Sequence, residues 1–250
     1  GSGRFFSNLD ENTFSASADM QHTINAGKLT NNIKYGFFRQ TRKRVFKSRE
    51  FVYGPVGTPV ISNRKPAEDL GENNINASSI YLVEKTSSDA DEYNGNSTLN
   101  AAYMMIEHHY PLFKVKGRNQ MLKVIYGLRG EQFNQYLTNA YFDQLGKKLA
   151  DGVINTDLLP SLNIITPITE KTGLRMAYYK TVNRPEMREM APFSFYNFNL
   201  NSEIIGNTQL KRATLHSFDL RYEIFPGKED MFSIGAFSKR IINPIEFSLE

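Results

Sequence analysis

The chain has no cysteine and no tryptophan among its 250 residues. Without thiols there can be no disulfide scaffold, thiolate zinc site or cysteine nucleophile. This fits a bacterial envelope protein and many cytosolic ones alike. Also missing is any apolar run near the ~18 residues that a membrane-spanning helix needs. That excludes a helical membrane protein but not a β-barrel, whose strands carry apolar residues only at alternate positions. A strong excess of one charge is missing too, the net charge being +4. The one dense basic cluster, residues 39–47 (RQTRKRVFK), reads as a solvated strand end or loop. No stacking or base-reading elements are organised around it, so no nucleic-acid partner is expected. Neither a nucleophile elbow nor a metal motif occurs. The chain is therefore not expected to be an enzyme, and no catalytic residue, metal or cofactor is assigned.

What the chain does have is alternation, with 18 Phe and 13 Tyr available to line a surface or a membrane interface. Residues 12–24 set Phe14, Ala16, Ala18 and Met20 against Ser15, Ser17, Asp19 and Gln21. That period of two is a strand with one apolar face. Asn25-Ala26-Gly27-Lys28 reads as a hairpin turn, and residues 29–40 return with Ile33, Tyr35 and Phe37 on one side. Residues 99–106 are the next strand, with Leu99, Ala101, Tyr103 and Met105 read as one face. After a turn over 111–119, residues 121–131 put Leu122, Val124, Tyr126 and Leu128 against Lys123, Arg129 and Glu131. Strands to about 168 and over 174–182 flank the tight turn Thr169-Glu170-Lys171-Thr172-Gly173. The last hairpin pairs residues 215–225 with 231–242.

Between these hairpins lie three polar stretches, residues 47–97, 132–156 and 183–213. The first is expected to hold a short hairpin of its own around 51–61. About eight strands thus alternate short turns with long loops. A ~50-residue loop argues against a compact soluble domain, whereas a membrane barrel keeps short turns at one end and long loops at the other. The alternation itself fits a half-exposed soluble sheet equally well. On the residues alone, a soluble all-β binding or adhesion module with long ligand-binding loops stays open, as does a passive porin-like channel.

Leu158-Leu159-Pro160-Ser161-Leu162-Asn163, Leu174-Arg175 and Thr181-Val182-Asn183-Arg184-Pro185 occur in this order. Arg188-Glu189-Met190-Ala191-Pro192-Phe193, Gly206-Asn207 with Leu210, Asp219-Leu220-Arg221-Tyr222-Glu223 and Asn243-Pro244-Ile245-Glu246 follow. In order and spacing this series resembles the C-terminal barrel of a TonB-dependent outer-membrane receptor of the Bacteroidetes type, from about residue 96 onward. The resemblance implies a transmembrane antiparallel β-barrel of about 22 strands with a plugged lumen. It implies import of a bulky nutrient (glycan, peptide or metal chelate) across the Gram-negative outer membrane. The partners it implies are the TonB system, a plug domain, outer-membrane lipid and the nutrient, with a surface lipoprotein as a further candidate. The chain is then expected to be one partial barrel domain over residues 1–250, a fragment with no plug domain of its own. By itself it would transport nothing and would leave two strand edges unpaired. Gly1-Ser2-Gly3 reads as a vector remnant.

The candidate ligand-binding residues lie in the third polar stretch. Arg184, Arg188 and Glu189 suit either ligand contact or loop-anchoring ion pairs, and mixed loop charges favour the latter. Phe193, Phe195 and Tyr196 suit stacking on sugar rings, and equally suit packing of the loop or a membrane interface. The acidic stretch 87–93 lacks the glycine and downstream glutamate of a calcium loop. His108 and His109, being adjacent on a strand, point to opposite faces and make a poor chelating pair. His22 and His216 have no evident partner.

Overall fold

The computed structural model describes residues 3–26, 29–55, 80–84, 92–115, 117–139, 150–192, 194–197, 202–227 and 229–248. Its strands are β1 (Gly3–Ala26), β2 (Leu29–Pro55), β3 (Ile80–Glu84), β4 (Glu92–Val115), β5 (Arg118–Thr138) and β6 (Ala150–Pro167). They continue with β7 (Thr172–Asn183), β8 (Ser194–Asn197), β9 (Ser202–Ile205), β10 (Ala213–Ile224) and β11 (Phe232–Ile242). A single helical turn, α1 (Met187–Met190), follows β7. One antiparallel sheet runs β1-β2-β4-β5-β6-β7-β10-β11, with β3 added to the end of β2, and β8-β9 form a separate hairpin. The eight strands of the main path are those the alternation predicts.

Cross-strand register decides which residues share a face. Met20 pairs with Tyr35, Tyr35 with Met104 and Met104 with Leu128. Leu220 pairs with Met176 and with Ala236, and Tyr222 with Ile234. This face is apolar and open: Tyr35 is 37%, Leu220 46% and Ile234 64% exposed, while Val124 in the same set is half-buried. Among the described residues no second sheet covers this face, as a soluble sandwich would require. Along β1 the outward positions from Phe14 to Ile24 span about 25 Å of height at ~3.3 Å per residue and ~40° tilt. That is the height of the apolar band of a membrane barrel. The band ends at the outward polar row Arg39–Asn100–Gln132–Thr156, whose neighbours pair in register.

Several expectations from sequence are refined or corrected. In β4 the split into two rows holds, and the register settles their sides: Ala102, Met104 and Ile106 face outward, while Leu99, Ala101 and Tyr103 face inward, Tyr103 donating to Asp19. The strands run well past the band, so the polar stretches are much shorter as loops than their composition suggests. Residues 47–55 belong to β2, 92–97 to β4, 132–138 to β5 and 150–156 to β6. The expected hairpin around 51–61 is instead Phe51–Pro55 on Ile80–Glu84. The turn over 111–119 tightens, since β4 reaches Val115 and β5 starts at Arg118. The basic cluster 39–47 lies mid-strand in β2, splitting Arg39 and Lys43 outward from Arg42 and Arg44 inward. His22 meets the Tyr35 hydroxyl at 3.2 Å and His216 that of Tyr178 at 3.0 Å, so both have partners.

The inner face changes character along the strands. Near the short turns it is polar, with Lys123 against Glu107 and Arg175 against Glu223. Toward the long loops it carries the core: Phe46, Tyr93, Phe133, Leu137 and Val153, packed with Met187, Met190 and Ala191 of the third loop. Gly152 adopts φ +76° at the β5–β6 register shift between Gln135 and Leu137. A Cβ there would fall 1.5 Å from the Gln135 carbonyl oxygen, so the bulge requires glycine.

Candidate functional site

The third loop is clamped at its base. The β7–β10 ladder ends at Asn183 opposite Ala213, so Arg184 and Arg212 are the two stems of the loop. Both reach Asp157 on β6. Arg184 Nη2 donates to Asp157 Oδ2 at 3.0 Å. Arg212 Nε lies 2.8 Å from Asp157 Oδ1, an ion pair whose angle makes no directed hydrogen bond. Arg184 Nη2 also donates to Glu131 Oε2 at 2.7 Å, and Arg129 Nε donates to Glu131 Oε1 at 2.6 Å. The Arg184 guanidinium stands 4.6 Å from the centre of the Phe133 ring. Two buried carboxylates thus hold three guanidinium groups, the Asp157 side chain being 0% exposed. Charges taken this far from water are tolerated only with several partners each, and each carboxylate here has two.

The position of Asp157 explains the clamp. The β6–β7 ladder stops at Ser161 opposite Tyr179. Next on β6 comes Pro160, which has no N–H to donate. Beyond it β6 pairs with β5 only and β7 with β10 only. Asp157 lies in this seam, and the two arginines close it with side chains where a backbone ladder is missing.

Above the clamp the loop folds onto the inner face. A helix of four residues cannot stand alone, so α1 depends on its surroundings. Met187 and Met190 are fully buried in the core. The Glu186 N–H donates to Glu189 Oε2 at 2.8 Å, bracing the first turn. Buried Gln135 donates from Nε2 to the Pro185 carbonyl at 2.8 Å. At the far end the Asn207 N–H donates to the Glu189 carbonyl at 2.7 Å. Gly206 passes so close that a Cβ would fall 2.1 Å from the Ala191 oxygen. Exposed Glu186 pairs with Arg42 at 3.3 Å and lies 3.9 Å from Arg44. Burial raises the Tyr93 hydroxyl above its ordinary pKa against the pull of its hydrogen bond to Arg44.

Of the residues singled out from sequence, Arg184 is the hub of the clamp, and Glu189 is half-buried with its carboxylate on a backbone N–H. Arg188 is exposed on the same turn. Phe195 and Tyr196 lie on β8, opposite Ile204 and Glu203 of β9. Phe193 lies outside the described residues, as does most of the acidic stretch 87–93, whose Glu92 pairs with Lys47 at 3.5 Å. Glu131, Asp157, Glu186 and Arg212 belong to the site and were not singled out. The sequence signal for them is faint: Glu131 and Asp157 are inward charges on strands, and Glu186 and Arg212 lie in the loop. Among the described residues no three His, Asp or Glu side chains converge as metal ligands.

Comparison with known proteins agrees with this architecture. The fold matches part of the ferric citrate transporter FecA in its unliganded form at 12% identity and a TM-score of 0.57. The match covers 95% of this chain and 28% of the transporter. The siderophore receptor PirA from Pseudomonas aeruginosa aligns at 11% identity and a TM-score of 0.30, over 92% of this chain and 46% of that one. The chain therefore spans less than half the length of either protein. No curated protein matches it. The antiparallel membrane-barrel fold implied by the sequence resemblance is borne out. Residues 60–249 match the outer membrane protein beta-barrel family. The chain belongs to that family, and its place is the Gram-negative outer membrane.

Proposed function

We propose that the chain forms part of the barrel wall of a TonB-dependent receptor importing a bulky nutrient such as a glycan, peptide or metal chelate. The observation that carries this is the third loop. It is clamped by Arg184 and Arg212, and its Met187–Ala191 turn is folded onto the inner face instead of standing clear in solvent. A receptor that holds one ligand above a plug needs rigid loops there. In this reading Arg188, Phe193, Phe195 and Tyr196 contact the nutrient, while Arg184 and Glu189 position them. As a barrel of this family the chain is not an enzyme.

Planar-bilayer conductance of the full-length receptor tests the reading. A plugged receptor gives no steady ohmic current, and its uptake in cells stops when TonB is deleted. A steady current, or uptake indifferent to TonB, would establish the porin-like alternative instead.

A further inference from the structure

One cross-strand row on the outward face is unlike the rest. Lys180 on β7 pairs with His216 on β10, and His216 pairs with Arg240 on β11. Three basic residues therefore stand side by side on adjacent strands, with ~10 Å between the outer two backbones. The Lys180 and Arg240 cations repel each other across the row. Among the described residues no carboxylate pairs with Lys180 or Arg240. The carboxylate neighbours in this part of the sheet, Asp219 and Glu223, point to the inner face by register. His216 is held by the Tyr178 hydroxyl, which fixes the middle of the row.

Directly below, toward the short turns, lies an apolar groove of about 510 Å³. Leu162, Met176, Tyr178, Phe218, Leu220 and Ala236 line it. It crosses β6, β7, β10 and β11, and its upper row, Tyr178–Phe218–Ser238, lies next to the basic row. In the outer membrane this surface faces lipid, and the row is on the long-loop side of the groove. The juxtaposition of an anion-attracting row and an acyl-sized groove has the chemistry of one amphiphile. We infer that this face binds a phosphorylated lipid of the outer leaflet, its phosphate on Lys180 and Arg240 and one acyl chain in the groove. The phosphate would relieve the repulsion in the row, so the site is electrostatically incomplete without it.

Native mass spectrometry of the full-length receptor in neutral detergent micelles reads this out, with three probes added singly: a phosphatidic acid, the matching diacylglycerol and inorganic phosphate. Retention of phosphatidic acid alone is expected. Lys180→Gln with Arg240→Gln should weaken it at least about tenfold, two charge-assisted contacts being lost. Lys239→Gln removes the same charge one residue away on the opposite face and should change nothing. Equal retention of diacylglycerol would refute headgroup recognition. Competition by inorganic phosphate at equal concentration would make it a free-anion site, and an unaffected double variant would overturn the proposal. A Leu220→Ala variant gives an independent check, since a groove that holds the chain must lose affinity when it is emptied.

Discussion

Replacing Asp157 by Asn keeps the shape of the side chain and removes the charge that two loop stems share. Truncating one partner of a buried ion pair costs about 3–5 kcal/mol because the other is left uncompensated. Here the loss belongs at the lower end. Arg184 retains Glu131 at 2.7 Å, and Arg212, with a side chain 28% exposed, can turn to water. A cost near 3 kcal/mol raises the open population of the loop about a hundredfold. Limited trypsinolysis of the full-length receptor measures it, because exposed Arg188 sits inside the clamped segment. Cleavage tracks that population when reclosing is fast. The expected result is cutting at Arg188 about a hundredfold faster in Asp157→Asn, with the sheet signal in circular dichroism unchanged. Arg212→Gln alone should accelerate cutting less, and the double variant should fall short of the sum, since both changes break one contact. Cleavage within threefold of the parent, or strictly additive effects, would show that the loop is held by the apolar packing of Met187 and Met190 alone.

Gly206→Ala sets a methyl against the Ala191 carbonyl, and the strain should cost about 1–3 kcal/mol; hydrogen exchange at the Asn207 amide should quicken correspondingly, and no change would remove the close approach from the account. Leu220→Lys puts a charge on the lipid face and should destabilise the barrel by about 2–4 kcal/mol near mid-membrane. Lys in place of Ala177, one register row away on the inner face, should be far milder, and equal effects in denaturant titrations would reverse the assignment of faces. Glu189→Ala removes the acceptor of the Glu186 N–H and should cost about 1 kcal/mol, seen as a several-fold rise in cutting at Arg188, while Glu189→Gln should retain most of the brace.

Much of the wall was readable beforehand, because within the bilayer each strand keeps one apolar and one polar row. Phe14 to Met20, Ile33 to Phe37 and Phe218 to Ile224 show this unmistakably. In β4 the two rows were separable but not their sides, since both are apolar and only pairing with Tyr35 and Leu128 turns Met104 outward and Tyr103 inward. The reading failed beyond the membrane. There both faces meet water or the folded loop, so residues 92–97 and 150–156 form strand, the latter with a bulge, without a clear apolar alternation in sequence. In the third loop Arg184 was visible as a candidate. Its partners were not, since Glu131 and Asp157 lie on other strands and only the register brings them together. The core of Phe46, Tyr93 and Phe133 was hidden for a different reason: inward aromatics above the band resemble lumen or loop residues until α1 is seen to cover them.

The seam above Ser161 and Tyr179 gives the wall a property its other joints lack. Elsewhere neighbouring strands are stitched by backbone groups that every sequence supplies, so substitutions leave the stitching intact. Between the upper parts of β6 and β7 the fastening is made of three side chains, and two of them also carry the loop. Whatever displaces that loop pulls on the same fastening. Events above the lumen and the tightness of the wall at this joint are therefore mechanically one variable, and evolution can tune both by changing a single acid.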